Sequence, residues 1–226
     1  MSAPGSPPKA PVVLRIPGIT RLPFVPLVIG LYAVARAISF VILTIVAGHQ
    51  VPTGMSGGDD VPVNYLGFLA MWDGQWYQRI AEGGYPAQLP RDALGEVEQN
   101  EWAFYPMLPM LSRLLMIVTG WSFNASAGFI SLACGFGAAV IMALLLRDRL
   151  GTLPALAVTF LWSNFPTAVT LQIAYSEALA MLVLTAYLLA LSRERWLIAT
   201  GLAVLVGLTR PIAVPLALVA LVAVWL

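Results

Sequence analysis

Charged residues are scarce in this 226-residue chain, at 10% of the total, whereas hydrophobic residues make up 59%. A soluble domain has roughly 25% charged and 45–50% apolar residues. The composition therefore excludes an ordinary soluble protein, and we interpret the chain as an integral membrane protein with lipids around it. The net charge of +1 says nothing about nucleic acid, whereas the distribution of charge along the chain is informative, and we expect no nucleic acid among the partners.

Cysteine and histidine are almost missing, with Cys134 and His49 as the single residues of each type. One cysteine excludes an internal disulfide or a thiolate-metal framework. Because Cys134 lies in an apolar run, we interpret it as a small packing residue. One histidine excludes a histidine-rich metal site. We therefore expect no metal and no other cofactor.

The apolar residues occur in long runs, and the run at 22–47 is long enough to cross a membrane. It follows a proline-rich tail at 1–21, which we predict to be disordered and cytoplasmic. Residues 48–126 form the predicted extracytoplasmic loop with juxtamembrane helices, and further membrane helices are predicted in 127–226. The expected fold is an all-α polytopic transmembrane bundle in a multi-pass membrane protein.

Orientation follows from the basic residues, since Lys and Arg collect in cytoplasmic loops. The Arg-Asp-Arg and Arg-Glu-Arg segments at 147–149 and 193–195 therefore belong to the cytoplasmic side. This requires the run at 104–119, with its two prolines and Arg113, to be a juxtamembrane or re-entrant helix instead of a crossing. Spans are then predicted at 127–146, 153–171, 174–192 and 196–209.

The acidic residues are concentrated in the predicted outer loop, where 48–102 contains eight of the chain's eleven Asp and Glu. In this topology four polar motifs fall at or near the same, extracytoplasmic side. We therefore expect them to converge in one site. The motifs lie at 71–86, 104–109, 174–177 and 209–211.

Asp73 begins a helix that is predicted to end at Gly83-Gly84. Two roles for its carboxylate remain open and are compatible with each other: a cap for the free amides of the first helical turn, or a catalytic base. On this helix Trp72, Trp76 and Ile80 fall at spacings of four residues, and we expect their side chains at headgroup depth. Asp59 and Asp60 are reserve candidates for the base.

Two arginines are predicted at membrane depth. The segment 196–209 is about 21 Å long, short of a ~30 Å hydrocarbon core, so Arg210 should lie below the outer surface and face a partner or a wet cavity. Arg36 lies in the first span, where a phosphate contact and pairing with a buried carbonyl or acid both remain open. Glu177 should complement the start of a helix, and binding of a sugar hydroxyl is compatible with that role.

In order along the chain, WDGQWYQRIAEGGY, AFYPMLP, AYSEALAML and LTRP resemble the mannosyltransferase family that adds the second mannose in glycosylphosphatidylinositol synthesis, together with its bacterial relatives. The resemblance covers roughly 36–211. It implies a multi-span enzyme of the GT-C class, which takes sugar from a polyprenyl-phosphate carrier at the outer or luminal face. It also implies that Asp73 is the general base of a mannosyl transfer to a lipid or protein acceptor.

The sequence departs from the family's usual Phe-Phe-Pro-Leu-Tyr-Pro, since Tyr105 replaces a phenylalanine and Leu108 a tyrosine. Ala213 stands where the family often has a glycine. The leaving phosphate requires cations or amide donors, and direct displacement would invert the anomeric centre. Besides Asp73, the candidate substrate-binding residues are Trp72, Gln75, Tyr77, Arg79, Tyr105, Tyr175, Glu177, Arg210 and Arg36.

Two other classes of function remain open, a transporter or flippase for lipid-linked sugars and a non-catalytic membrane scaffold. A transporter predicts inverted repeats, and a scaffold leaves the acidic, aromatic outer loop unexplained. The expected location is the cell membrane in a bacterium and the endoplasmic reticulum membrane in a eukaryote. Because the sequence ends inside an apolar run, at 222–226, one expectation is that it is an N-terminal portion of a longer enzyme.

Overall fold

The computed structural model describes residues 23–50 and 64–225. Within these two ranges the regular structure is helical, apart from one isolated β-bridge between Arg91 and Val97. The all-α part of the predicted fold is thereby confirmed. The predicted disordered tail at 1–21 and the reserve base candidates Asp59 and Asp60 lie outside the described residues.

The described residues form nine α-helices and two short 3₁₀ helices. The 3₁₀ helices span Glu101–Ala103 and Pro166–Leu171. The α-helices are α1 (Phe24–Gly48), α2 (Tyr65–Leu69), α3 (Asp73–Gly83), α4 (Met107–Thr119), α5 (Phe123–Leu150), α6 (Thr152–Asn164), α7 (Glu177–Ser192), α8 (Trp196–Gly207) and α9 (Ala213–Trp225).

Two helices, α1 and α5, are long and apolar enough to cross a membrane. They have 25 and 28 residues, or about 38 and 42 Å, against a hydrocarbon core of about 30 Å. Helix α4 has 13 residues, or about 20 Å, and Arg113 on it is exposed. Helix α6 has the same length and lies in a predicted span, so the juxtamembrane placement of 104–119 stays a prediction.

Helix α5 is at the centre of the packing and contacts α1, α4, α6 and α7. Small side chains on a helix face let neighbouring backbones approach closely, which favours helix association in lipid. A Cβ atom at Gly135 would overlap the hydroxyl of Tyr32 on α1, so that contact requires glycine. The buried face of α5 is made mostly of small residues, including Ala127, Ser131, Ala138, Ala139 and Ala143.

The prediction of one continuous span at 153–171 is wrong. Helix α6 ends at Asn164, Phe165 is extended with φ −60° and ψ 144°, and a 3₁₀ helix begins at Pro166. A proline ring disfavours the α conformation of the residue before it. Pro166 therefore divides an apolar run that is continuous in hydropathy into two helical pieces.

Candidate functional site

The four polar motifs meet at one end of the helix bundle. The backbone N–H of Ala174 donates at 2.9 Å to the carbonyl of Leu69, which lies two residues before the first motif begins at Met71. The N–H of Met107 donates to the carbonyl of Leu208 at 3.1 Å, which connects the AFYP and LTRP motifs. The predicted convergence of the four segments is therefore confirmed.

An unusual backbone turn places Asp73 at the start of α3. Trp72, directly before it, has φ 52° and ψ −118°. A positive φ in a residue other than glycine costs about 1–3 kcal/mol and is found most often at functional sites. Because of this turn, Asp73 occupies the first position of α3 with an exposed side chain.

Two of the first amides of α3 have partners other than the Asp73 carboxylate. The N–H groups of Gly74 and Gln75 donate to the carbonyls three residues earlier, at 3.0 and 3.2 Å. The cap position is held by Trp72, and Asp73 is the first residue of the helix. Within the described residues no amide of the first turn donates to the Asp73 carboxylate, so the structure shows it at the positive end of the helix dipole without a capping hydrogen bond.

Tyr77 joins the first motif to the third through a buried hydrogen bond. Its hydroxyl donates to Ser176 Oγ at 2.9 Å. Burial raises the pKa of Tyr77 above the usual value for a tyrosine, the Ser176 hydrogen bond lowers it, and the charges of Glu177, Arg210 and Asp73 also act on it. Because Tyr77 keeps its proton near neutral pH, the proton acceptors of this cluster are the two carboxylates.

Arg210 forms an ion pair with Glu177. Its Nη1 donates to Glu177 Oε1 at 2.5 Å, and the two side chains are 42% and 31% exposed. The partner that the sequence predicted for Arg210 is therefore a carboxylate of the same chain. Glu177 occupies the first position of α7, as predicted, where its charge also favours the helix N-terminus. Asp73 is thus the carboxylate of the cluster without an arginine partner among the described residues.

Arg36 has a different environment, beside the break between α6 and the 3₁₀ helix. The side chain is 4% exposed. Its guanidinium donates to the carbonyl of Ser163 at 2.6 Å and to the carbonyl of Ala168. It also lies 5.1 Å from the ring centre of Tyr32. Of the two roles left open for Arg36, the structure shows the pairing with buried carbonyls.

The predicted Trp72, Trp76 and Ile80 stripe divides into three environments. Ile80 is fully buried, Trp76 is half-buried, and Trp72 is 55% exposed. Trp72 packs edge-on against Phe68, with ring centres 5.5 Å apart. The buried residues of α3 are Gly74, Tyr77, Ile80 and Ala81, so Ile80 is the one member of the stripe that lies on this contact surface.

Phe104 is a site neighbour that sequence reasoning missed, although it lies within the AFYP motif. Its ring stacks on Trp76 at 5.8 Å and meets Tyr77 edge-on at 5.3 Å. The guanidinium of Arg79 lies 4.6 Å from the Trp76 ring centre, on an exposed face of α3. These rings couple α3 to the segment that leads into α4, so Tyr77, which was predicted to bind substrate, also helps to hold the two segments together.

The remaining predicted positions have simpler surroundings. Gln75 and Tyr105 are half-buried. Leu108, which replaces a tyrosine of the resembling family, is 1% exposed and belongs to the main hydrophobic core. That position is therefore used for packing in this chain, and a leucine suits it.

An apolar cavity of about 430 Å³ adjoins the cluster between α6, the 3₁₀ helix and α7. Glu177 forms part of its wall and carries the charge found there. Within the described ranges, no group of three or more His, Cys, Asp and Glu side chains is placed to hold a metal ion. The other lining residues are Val158, Leu161, Trp162, Phe165, Thr167, Ala168, Thr170, Leu171 and Met181.

Comparison of the chain with protein-family models, with curated proteins and with solved structures gives no match.

Proposed function

We propose that the chain acts as an inverting membrane glycosyltransferase, which moves a mannose from a polyprenyl-phosphate carrier to a lipid or protein acceptor at the extracytoplasmic face. The observation that carries this proposal is the Asp73 carboxylate. It is exposed at the first position of α3, makes no capping hydrogen bond in the described structure, and its charge acts on the Tyr77 hydroxyl together with those of Glu177 and Arg210. The choice of mannose as the sugar and of polyprenyl phosphate as the carrier comes from the motif order, which resembles that of the mannosyltransferase family.

The proposed reaction is a direct displacement at the anomeric carbon. Asp73 accepts the proton of the acceptor hydroxyl while the hydroxyl oxygen forms a bond to that carbon. The bond from the carbon to the phosphate oxygen breaks on the opposite face, and the phosphate leaves with the electron pair. The anomeric configuration is therefore inverted, and proton transfer by a placed carboxylate contributes about 10²–10⁴-fold to the rate.

The leaving phosphate is assigned to Arg210. A guanidinium stabilises the charge that develops on phosphate oxygens, and it does so best when it presents two N–H groups. The charges of Arg210 and Asp73 both act on the Tyr77 hydroxyl. This shared neighbour supports an arrangement in which the base and the phosphate-binding cation face one substrate.

The multi-pass topology belongs to the same proposal, and the lengths and apolar composition of α1 and α5 support it. Cysteine labelling in sealed cells tests it. Trp121 precedes α5 and is 47% exposed, whereas Asp148 lies in its last turn. We expect Trp121→Cys to react with an impermeant external thiol reagent and Asp148→Cys to react only after the membrane is opened. The reverse pattern would contradict the orientation.

The transfer reaction is tested with membranes that contain the protein, a polyprenyl-phosphate mannose with a labelled sugar, and a panel of lipid and protein acceptors. We expect labelled mannose to appear on one acceptor class with inverted configuration, and only in membranes that contain the protein. Movement of the intact labelled carrier between leaflets without a new glycosidic bond would instead identify a transporter and would contradict the proposal.

A further inference from the structure

We infer that Glu177 is an internal competitor for the anion-binding position of Arg210, so that the carboxylate and a lipid-linked phosphate exchange on the same guanidinium. This inference rests on the proposed function, because it concerns the phosphate of the proposed donor. It adds a role for Glu177 that the displacement reaction itself does not need. Glu177 lowers the affinity for the donor phosphate and for the phosphate product.

The geometry of the ion pair is that of an exchangeable contact. In the described structure the hydrogen bond joins one nitrogen, Nη1 of Arg210, to one oxygen, Oε1 of Glu177, at 2.5 Å. A guanidinium has five N–H donors and holds a carboxylate or phosphate most firmly through two parallel hydrogen bonds. The contact with Glu177 therefore leaves donors for a second anion.

Solvent reaches both partners, with 42% of the Arg210 side chain and 31% of the Glu177 side chain exposed. Ion pairs with this degree of exposure add little to stability, because water screens the attraction and both side chains lose freedom. A competing anion can therefore displace the carboxylate without unfolding the bundle. A fully buried pair would resist such an exchange.

The start of α7 offers additional donors for an anion at this position. Ser176 precedes α7, but its Oγ accepts a hydrogen bond from Tyr77 and makes no side-chain cap. The first N–H groups of a helix have no partners within the helix and favour negative charge. The amides and the guanidinium thus favour an anion together, and Glu177 is the built-in occupant of that environment.

The apolar cavity beside Glu177 indicates which anion would compete. Its volume is about 430 Å³, and hydrophobic side chains from α6, the 3₁₀ helix and α7 line most of it. An anion with a hydrocarbon tail can bury the tail along this wall while its head approaches Arg210. Because its tail is buried, a lipid phosphate therefore displaces the Glu177 carboxylate from Arg210 more readily than free inorganic phosphate does.

The competition has a consequence for turnover. After mannose leaves, the product is a lipid phosphate with more negative charge than the donor, and Arg210 would hold it tightly. The Glu177 carboxylate repels that product, and its ion pair with Arg210 forms again as the phosphate dissociates. Removing the Glu177 charge should therefore tighten product binding more than donor binding.

The test measures binding of farnesyl phosphate, which carries one phosphate on a short isoprenoid chain, to the full chain in detergent at neutral pH. We expect Glu177→Gln and Glu177→Ala to bind it roughly two- to fivefold more tightly than the wild type, the range set by a solvent-exposed ion pair. Arg210→Ala should not bind farnesyl phosphate more tightly than the wild type, and Glu177→Gln should give no gain in affinity when it is combined with Arg210→Ala. Farnesol, which lacks the charge, should bind all variants equally.

Glu82→Gln is the matched control, since it removes the same charge from an exposed position of α3 where the carboxylate accepts a hydrogen bond from Gln78 at 2.8 Å. It should bind farnesyl phosphate like the wild type. Weaker or unchanged binding in both Glu177 variants would overturn the inference and would mean that Glu177 only holds Arg210 in place. Because this assay requires no mannose transfer, a failure of the proposed reaction and a failure of the exchange are distinguishable.

Discussion

Two arginines that look alike in the sequence have opposite environments in the structure. Arg36 is 4% exposed and donates to two backbone carbonyls beside a helix break. Arg210 is half-buried and donates to a carboxylate at the start of α7. Each is an isolated cation in an apolar region, and each was a candidate to bind the phosphate of a lipid-linked sugar.

The two arginines differ in the free-energy cost of moving the guanidinium away from its present partners. Removing Arg36 from its carbonyls would leave two buried acceptors at Ser163 and Ala168 without these donors, which costs free energy that a ligand would have to supply. Moving Arg210 from Glu177 leaves a carboxylate that solvent can reach. A buried arginine on backbone carbonyls therefore stabilises the fold, whereas an exposed arginine on a carboxylate is available for a ligand.

The largest expected effect that separates the two arginines is on stability at position 36. Arg36→Ala should destabilise the protein by about 2–4 kcal/mol, because two buried carbonyls lose their donors. Arg36→Lys should recover only part of this loss, since an ammonium cannot reproduce the planar fork. Thermal unfolding in detergent measures the change, with Arg113→Ala on the exposed face of α4 as the control. Wild-type stability in Arg36→Ala would contradict a structural role.

A smaller effect is expected on use of the donor at position 210. Arg210→Ala should raise the KM for the sugar donor by about tenfold, because a charge-assisted hydrogen bond to phosphate is lost. Arg210→Lys should fall between alanine and the wild type, since it keeps the charge without the fork. Steady-state kinetics with varied donor gives the comparison. Equal donor affinity in the wild type and in Arg210→Ala would remove this role.

The smallest expected effect is on stability at position 210. Arg210→Ala should change the free energy of unfolding by less than about 1 kcal/mol, because a solvent-exposed ion pair contributes little. The same thermal unfolding experiment as for Arg36 measures it. A loss of stability as large as that of Arg36→Ala would mean that both arginines stabilise the fold, and it would contradict the contrast between them.

The sequence predicted the convergence of the site more successfully than its local details. The orientation predicted from the basic loops puts the four motifs on one side, so the meeting of Leu69 with Ala174 and of Met107 with Leu208 was foreseeable. The pairing of Arg210 with Glu177 was not, because 33 residues separate them and only the packing of α7 and α8 brings them together.

The break at Phe165 shows a different limit. Hydropathy is continuous across 153–171 and predicts a single span, yet Pro166 was a visible signal for a break. Once the helix breaks, its last carbonyls need donors inside an apolar bundle. Arg36, on another helix, supplies them. The sequence contains both signals, a proline in one apolar run and a lone arginine in another. They would have identified the contact of Arg36 with the helix break only if the packing of α1 against α6 were known.

The central claim concerns Asp73. Backbone carbonyls accept from the N–H groups of Gly74 and Gln75, and the Asp73 carboxylate makes no capping hydrogen bond in the described structure, so both Asp73→Asn and Asp73→Ala should insert and fold with nearly wild-type thermal unfolding. Neither replacement can accept a proton, so both should lower the rate of transfer by about 10²–10⁴-fold. Glu82→Gln, which removes a carboxylate from the same helix, should transfer at the wild-type rate.

The most direct measurement is therefore the single-turnover rate of mannose transfer by Asp73→Asn, made in membranes that contain the protein together with a thermal unfolding curve of the same preparation. We predict a loss of at least about two orders of magnitude in rate, the lower end of what a general base contributes, with unfolding unchanged. Wild-type turnover by a folded Asp73→Asn protein would contradict the account and would move the search for the base to Asp59 and Asp60.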